Sequence, residues 1–373
     1  MNCIGIETLG GTPVRLTFEG AITAVEPAAD PGEFYLAPGW IDLQVNGFLG
    51  VDFNDPKCTR EQIARAIHGM FSTGVTRFYP TVITGAPKDM LDALRNLKCA
   101  KDVLAEGAAM DGFHVEGPHI SPDDGPRGAH PLRWVRPPDL DEYHRWQEAT
   151  DHGVRIVTLA PEWPEALRYI EAVTAEGVVV SIGHTNATAQ QLADAVSAGA
   201  SLSTHLGNGA HAVMRRHPNY IWEQLAEDRL MADFIVDGIH LGPSFLKAAL
   251  RAKTLARSVL ITDAAAPAGC PPGRYQLGEQ AVVLTPDNRV MLTGQERLAG
   301  SALRMDHGIE NLMRIAGLSL ADAVRMATIN PARAGRGLVA GERADIVQYR
   351  FNREMASISI EATYVSGQKV LQA

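Results

Sequence analysis

The chain has 373 residues, 46% hydrophobic and 21% charged, which fits a globular protein of one large domain, or a large domain with a small companion. Its formal charge of −9 argues against nucleic acid or an anionic membrane as partner, since either favours a basic face, and leaves small molecules as the better class. Cys3, Cys58, Cys99 and Cys270 are scattered without a C-x-x-C pair, as in a reducing cytoplasm, and neither a secretory opening nor a long apolar run appears.

Residues 1–36 read as short strands, including Arg15-Leu-Thr-Phe-Glu and Ala21-Ile-Thr-Ala-Val, separated by Gly- and Pro-containing turns. From Pro38-Gly-Trp-Ile-Asp-Leu onward, apolar runs alternate with helical patterns. Strands are expected near 39–45, 75–83, 109–116, 154–160, 178–184, 201–206, 231–236 and 258–263. Helices fall between them, for example over 59–71, 88–104, 164–176, 188–198 and 243–253. Eight strands with intervening helices over about 225 residues is the count of a (β/α)8 barrel. A doubly wound open sheet would carry a Gly-rich phosphate turn after an early strand, and no G-x-G-x-x-G stands there. Beyond the eighth strand, the Gly/Pro-rich stretch 267–273 precedes Ala281-Val-Val-Leu-Thr-Pro-Asp-Asn-Arg-Val-Met-Leu, whose Pro-Asp-Asn centre reads as a hairpin. The closing runs Ala344-Asp-Ile-Val-Gln-Tyr and Ser357-Ile-Ser-Ile-Glu-Ala-Thr-Tyr-Val are strands again. Two β-rich ends flanking a barrel are expected to pair into one small sheet domain, from 1–37 and 339–373, around a barrel over 38–338.

Four of the strand ends offer Glu116, His184, His205 and Asp263. Two imidazoles and one carboxylate suit a divalent metal and leave a position open for water. Alone, each residue has a plainer reading: a histidine at a strand end is more often a hydrogen-bonded loop residue, and Glu116 before Gly-Pro could be an exposed turn residue. Their joint placement on different barrel strands reverses the balance, because chemistry in this architecture gathers at the carboxyl ends of strands. Asp263 reads equally as an Asx turn or as a general acid/base that moves a proton from water to a leaving amine. His240, after Asp237-Gly-Ile, could donate to a substrate carbonyl. His68, His144, His152 and His307 sit in helical patterns and are taken as structural.

The segments Pro38-Gly-Trp-Ile-Asp-Leu-Gln-Val-Asn-Gly, His114-Val-Glu-Gly-Pro, Gly183-His-Thr-Asn-Ala, Thr204-His-Leu, Asp237-Gly-Ile-His, Thr262-Asp-Ala and Arg343-Ala-Asp-Ile-Val, in order over nearly the whole chain, resemble the amidohydrolase superfamily. Within it they are similar to the N-acetylglucosamine-6-phosphate deacetylase family. The resemblance implies a TIM-like barrel with a β-sandwich built from both termini, hydrolysis of the N-acetyl group of a phosphorylated amino sugar, and a homodimer. It assigns Glu116, His184 and His205 to the metal and Asp263, with His240, to catalysis. Substrate contacts carry over to Ala129 with His130, Asn208 with Gly209, the segment from Asp237 to His240, and Leu298, Ala299 and Gly300. Arg216 corresponds to an arginine that reaches the partner subunit's substrate phosphate, a task suited to a planar, bidentate donor.

Many superfamily members have His-x-His after the first strand and bind a second metal with it. Here Gln44-Val-Asn46 stands instead, and amides are poor ligands for such ions, so one divalent ion per subunit is expected. Zinc is the first choice, and iron, manganese and cobalt accept the same donors. The family's aromatic and Asn-Ala-Met after Thr204-His-Leu are replaced by Gly207-Asn-Gly-Ala-His211, and Asn219-Tyr-Ile-Trp-Glu-Gln-Leu-Ala-Glu-Asp stands where a Gly-rich segment is usual. Two alternatives therefore stay open: an amidohydrolase acting on a different N-acyl amino sugar or a cyclic amide, and, more remotely, a non-catalytic binding barrel.

Overall fold

In the computed structural model, which describes residues 1–332 and 337–372, eight strands lie parallel in one sheet and in chain order. They are Trp40–Val45, Val75–Ile83, Phe113–Glu116, Val154–Leu159, Val179–Ile182, Leu202–Ser203, Met231–Ile235 and Ser258–Ile261. The sheet closes where the first strand meets the last: Val45 bridges Ala264, and the Asn46 N–H donates 2.7 Å to the Ala264 carbonyl. Helices lie between most successive strands, making a (β/α)8 barrel. The apolar runs suit strands covered on both faces. Trp40–Val45 is buried throughout, and helix Arg60–Phe71 presents Ile63, Ala66, Ile67, Met70 and Phe71 to the core. The helix starts are written locally, with Thr59–Gln62 and Thr188–Gln191 forming reciprocal capping boxes.

Several strands stop short of the expected bounds, at Ile182, Ser203 and Ile261. The next site residues cause this. His184, His205 and Asp263 have φ of 51°, 30° and 49°, a left-handed backbone that cannot continue a strand and turns each side chain over the barrel mouth. The third strand also starts later than expected, at Phe113. His152 is not helical: helix Leu140–Ala149 ends first, and Asp151 and His152 form a turn with φ of 53° and 56°.

Both chain ends enter one seven-stranded sheet, in the order Gln368–Gln372, Ser357–Val365, Ile346–Asn352, Tyr35–Pro38, Asn2–Glu7, Pro13–Phe18, Ile22–Pro27. Phe18 and Tyr364 are four strands apart in this ladder, about 19 Å if it were flat, yet their rings are 5.1 Å apart edge to face. The sheet is therefore folded over on itself as a sandwich, around Leu16, Phe18, Leu36, Ile346 and Tyr364. We place the division between this sheet and the barrel at 1–37, 38–338 and 339–373; residues 333–336 and 373, within those ranges, lie outside the described residues. The hairpin expected over 281–292 is present as Gln280–Leu284 paired with Val290–Leu292. An unexpected third strand, Gly273–Leu277, joins it, and the insert packs Leu277, Val282, Leu284, Val290 and Leu292 into a core of its own. Among the described residues no helix is long and apolar enough to cross a membrane.

Candidate metal centre

Glu116 ends the third barrel strand, and His184 and His205 follow the fifth and sixth. Glu116 Oε1 lies 3.1 Å from His184 Nε2 and 3.0 Å from His205 Nε2, and the two nitrogens are 3.0 Å apart. His184 Nδ1 is 2.8 Å from the Pro126 carbonyl oxygen, which can only accept, so Nδ1 carries the proton of the neutral ring. The lone pair on His184 Nε2 then faces a carboxylate oxygen with no proton between them. Such a contact repels in the absence of a cation, and all three residues are buried, with exposures of 3%, 7% and 3% for Glu116, His184 and His205. Tetrahedral bonds of about 2.1 Å place ligand atoms about 3.4 Å apart. The observed triangle reaches that spacing by an outward shift of a few tenths of an ångström. The residues therefore fit a divalent cation, and a protein oxygen on the far side of His184 fixes the ring's tautomer, as metal-binding imidazoles usually require.

Asp263 stands beside this triangle. Its Oδ1 accepts from Asn46 Nδ2 at 2.6 Å and from Gln44 Nε2 at 3.0 Å. The amides that replace the His-x-His pair thus hold a carboxylate with their N–H groups, while Gln44 Oε1 and Asn46 Oδ1 are buried without partners among the described residues. Only Oδ1 is engaged among the described residues, and Oδ2 has no protein partner there. Burial first, and the Glu116 carboxylate second, push Asp263 up to about 7. Beneath it, burial holds Asp233 well above the usual carboxylate range, and its Oδ1 accepts the His205 backbone N–H. Burial also raises Asp42 to about 7, although Thr262 donates to it from both its backbone N–H, at 3.1 Å, and its hydroxyl, at 2.6 Å. This concentration of buried carboxylates offers the field that a dication offsets.

Above the triangle opens a cavity of about 700 Å³. Its wall includes Glu116, His184, His205 and Asp263. Of the expected substrate contacts, Ala129, His130, Asn208, Gly209, His240 and the Leu298–Ala299–Gly300 run also line it. Asp237 stands behind: its Oδ2 is 2.6 Å from His240 Nδ1, and its Oδ1 accepts the N–H groups of Ile239 and His240 at 2.8 Å. His130 lies edge-on to His184 at 4.4 Å between ring centroids, and its Nδ1 is buried without a partner among the described residues. Its ligand atom, with those of Glu116 and His184, falls within a 4.8 Å group. Burial, then the neighbouring His184, pushes His130 down to about 3. Arg216 is exposed and is not part of the cavity wall.

The sequence reading missed the groups that hold this site from behind. Asp233 lies in a strand that reads as core, and the Pro126 carbonyl carries no side-chain signal. Arg297, immediately before Leu298, spans the mouth: Nη1 donates to the Gly128 carbonyl and Nη2 to Asp124, both at 2.8 Å.

A model of the amidohydrolase family matches residues 35–370. An N-acetylglucosamine-6-phosphate deacetylase of Bacillus subtilis is 34% identical over 306 residues, 81% of this chain and 76% of its own length. The human N-acetylglucosamine-6-phosphate deacetylase is 35% identical over 376 residues, covering 97% of this chain and 89% of its own. The crystal structure of N-acetyl-D-glucosamine-6-phosphate deacetylase from Mycobacterium smegmatis superimposes with a TM-score of 0.89 at 31% identity, over 100% of both chains. A mutant of that enzyme, solved in complex with N-acetyl-D-glucosamine-6-phosphate, gives 0.89 at 30% identity, over 100% of this chain and 99% of its own.

Proposed function

The chain belongs to the amidohydrolase family, among its N-acetylglucosamine-6-phosphate deacetylases, and on that premise we propose how its residues carry the reaction. It removes the N-acetyl group of N-acetylglucosamine 6-phosphate by hydrolysis, giving glucosamine 6-phosphate and acetate. The observation that carries this reading is the convergence of three buried donor atoms with an anchored carboxylate at the floor of a cavity of about 700 Å³. Glu116, His184 and His205 would hold a divalent ion, zinc being the first choice. Bound there, it would lower the pKa of a bound water towards about 7 and polarise the acetyl carbonyl.

Asp263 takes the proton of the attacking water at Oδ2 and returns it to the sugar nitrogen, so that the amine departs neutral. Gln44 and Asn46 keep that carboxylate aimed by holding Oδ1. His240, whose Nδ1–H is held by the Asp237 carboxylate, donates to the acetyl oxygen from Nε2–H when the ring carries both protons, a form that carboxylate supports. His130, Asn208 and the 298–300 run position the sugar. Arg216, exposed outside its own cavity, serves the phosphate in the partner of a homodimer, and unpaired cysteines agree with a cytoplasmic location.

The test is acetate release from N-acetylglucosamine 6-phosphate, its loss on chelation, and its return when one equivalent of zinc is restored. The altered loop at 207–211 motivates one other reading, a different N-acyl amino sugar or a cyclic amide as substrate. A panel of N-acyl sugars with and without phosphate decides between them.

A further inference from the structure

His211 is where the chain departs from the family pattern on the cavity wall, and its surroundings fix its chemical state. Its backbone N–H donates to the Tyr220 hydroxyl oxygen at 2.8 Å, and its Nδ1 lies 2.9 Å from the same oxygen. A phenol has one proton, and among the described residues Tyr220 has no other acceptor in reach. Tyr220 therefore donates to Nδ1, and the neutral imidazole carries its hydrogen on Nε2. That nitrogen has no partner among the described residues, and His211 lines the cavity. Neither side of the pair is free to turn. Tyr220 is buried at the start of helix Tyr220–Ala226, which the Asn219 side chain caps through the N–H groups of Ile221 and Trp222, each at 3.1 Å. Across the ring, Gly125 is so close that a Cβ on it would meet His211 Cδ2 at 3.1 Å.

We infer that His211 is a substrate-binding residue of this chain, donating from Nε2–H to a phosphate oxygen of the amino-sugar phosphate, with Tyr220 as its positioning residue. The inference rests on the deacetylase reading and adds to it a phosphate donor from the chain's own wall. Among the described residues the chain's own cavity wall carries one arginine, Arg297, and it is bound to Asp124 and Gly128; Arg216, assigned above to the partner's substrate, lies outside this wall. His130 sits against the metal donors, at the acetyl end. His211 sits next to exposed Ala212 and to Val213, which is 89% exposed, whereas the metal donors of the same cavity are buried, so a sugar bound there by its acetyl group would extend its far end towards this loop.

The experiment compares the unsubstituted metal-loaded protein with His211→Ala, His211→Gln and Tyr220→Phe. KM and kcat are measured on N-acetylglucosamine with and without the 6-phosphate, and product affinity by calorimetry with glucosamine 6-phosphate. Loss of a hydrogen bond to a charged group predicts a rise of about tenfold or more in KM and in the product Kd for His211→Ala. KM for the unphosphorylated sugar moves less than twofold. Tyr220→Phe shifts the phosphorylated values in the same direction by less, and His211→Gln, which keeps an N–H donor, recovers part of the loss. Imidazole 15N shifts show the Nε2–H form in the unsubstituted protein and lose that preference in Tyr220→Phe. An unchanged product Kd in His211→Ala overturns the inference, as does equal weakening for both sugars, which would place a hydroxyl opposite Nε2. Failure of the unsubstituted protein to release acetate counts against the deacetylase reading instead, because the binding comparison needs no turnover. Should His211→Ala not fold, the glutamine variant and Tyr220→Phe supply the same comparison.

Discussion

Asp263→Asn is the substitution that separates proton transfer from metal binding. The replacement has the shape of the original side chain, and its amide oxygen can accept from Asn46 and Gln44 as Oδ1 does at 2.6 and 3.0 Å. What changes is the free end: an N–H2 group stands where Oδ2 stood and cannot take a proton from water. General base and acid catalysis by a positioned carboxylate contributes about 10²–10⁴ in rate, or roughly 2.7–5.5 kcal/mol. A fall in kcat of that size is expected, with KM changed little, since Asp263 meets the reacting atoms and not the sugar's outer end. The metal triangle should survive, because Glu116 and the two imidazoles contact one another and not Asp263. Burial and the Glu116 carboxylate already disfavour the charged form of Asp263, so a neutral amide introduces no electrostatic penalty. Acetate release gives the rate, and elemental analysis gives the ion content of the same preparation. Activity within tenfold of the original refutes the proton-transfer role. Loss of the ion makes Asp263 chiefly a ligand and refutes the assignment from the other side.

Asn46→Ala removes the shorter of the two anchors on Asp263, so kcat should fall by about 10–100-fold, the worth of one hydrogen bond to a charged group. Its metal content should hold, and a lost ion would show that this amide serves the metal directly. Arg216→Ala should raise KM for the phosphorylated sugar by about tenfold or more while the unphosphorylated sugar is unaffected; an unchanged KM removes Arg216 from phosphate recognition. Asp42→Asn tests the buried carboxylate of the first barrel strand. Its carboxyl titrates at about 3.9 unfolded, while burial pushes it up to about 7 in the fold, so between those values the folded state binds a proton that the unfolded state does not. The stability this group lends is therefore full below about pH 4 and is lost as pH rises through about 7, by about 4 kcal/mol at most. The variant escapes that loss. Its Tm relative to the original should rise between pH 4 and 7 and level off above, and a difference that falls over this range contradicts the sign.

The barrel and the four strand ends that converge on the cavity are legible because each is written within a few consecutive residues: a β-prone run, then histidine or a carboxylate, then small or turn-forming residues. The structure adds why the runs end there, since His184, His205 and Asp263 are themselves the left-handed residues that break the strands. The expected strands 178–184 and 201–206 include the histidines themselves and so overrun the observed ends at Ile182 and Ser203. The supports of the site are of another kind. Asn46 meets Asp263 across 217 residues of sequence, and Arg297 meets Asp124 across 173. Such pairs leave no periodicity, and only closure of the barrel brings Asn46 and Asp263 together. The amides at 44 and 46 illustrate the difference. As a sequence they say only that a second imidazole pair is missing, whereas in space they are the two donors that hold the carboxylate. The 207–211 segment makes the same point for the substrate. As a string, Gly207-Asn-Gly-Ala-His211 is a failure of pattern. Folded, it places His211 on the cavity wall, with Nδ1 against the hydroxyl of a tyrosine nine residues on, in the other departing segment. Two deviations that weaken a family resemblance separately are thus one hydrogen-bonded unit, in which the His211 backbone N–H and Nδ1 both meet the Tyr220 hydroxyl.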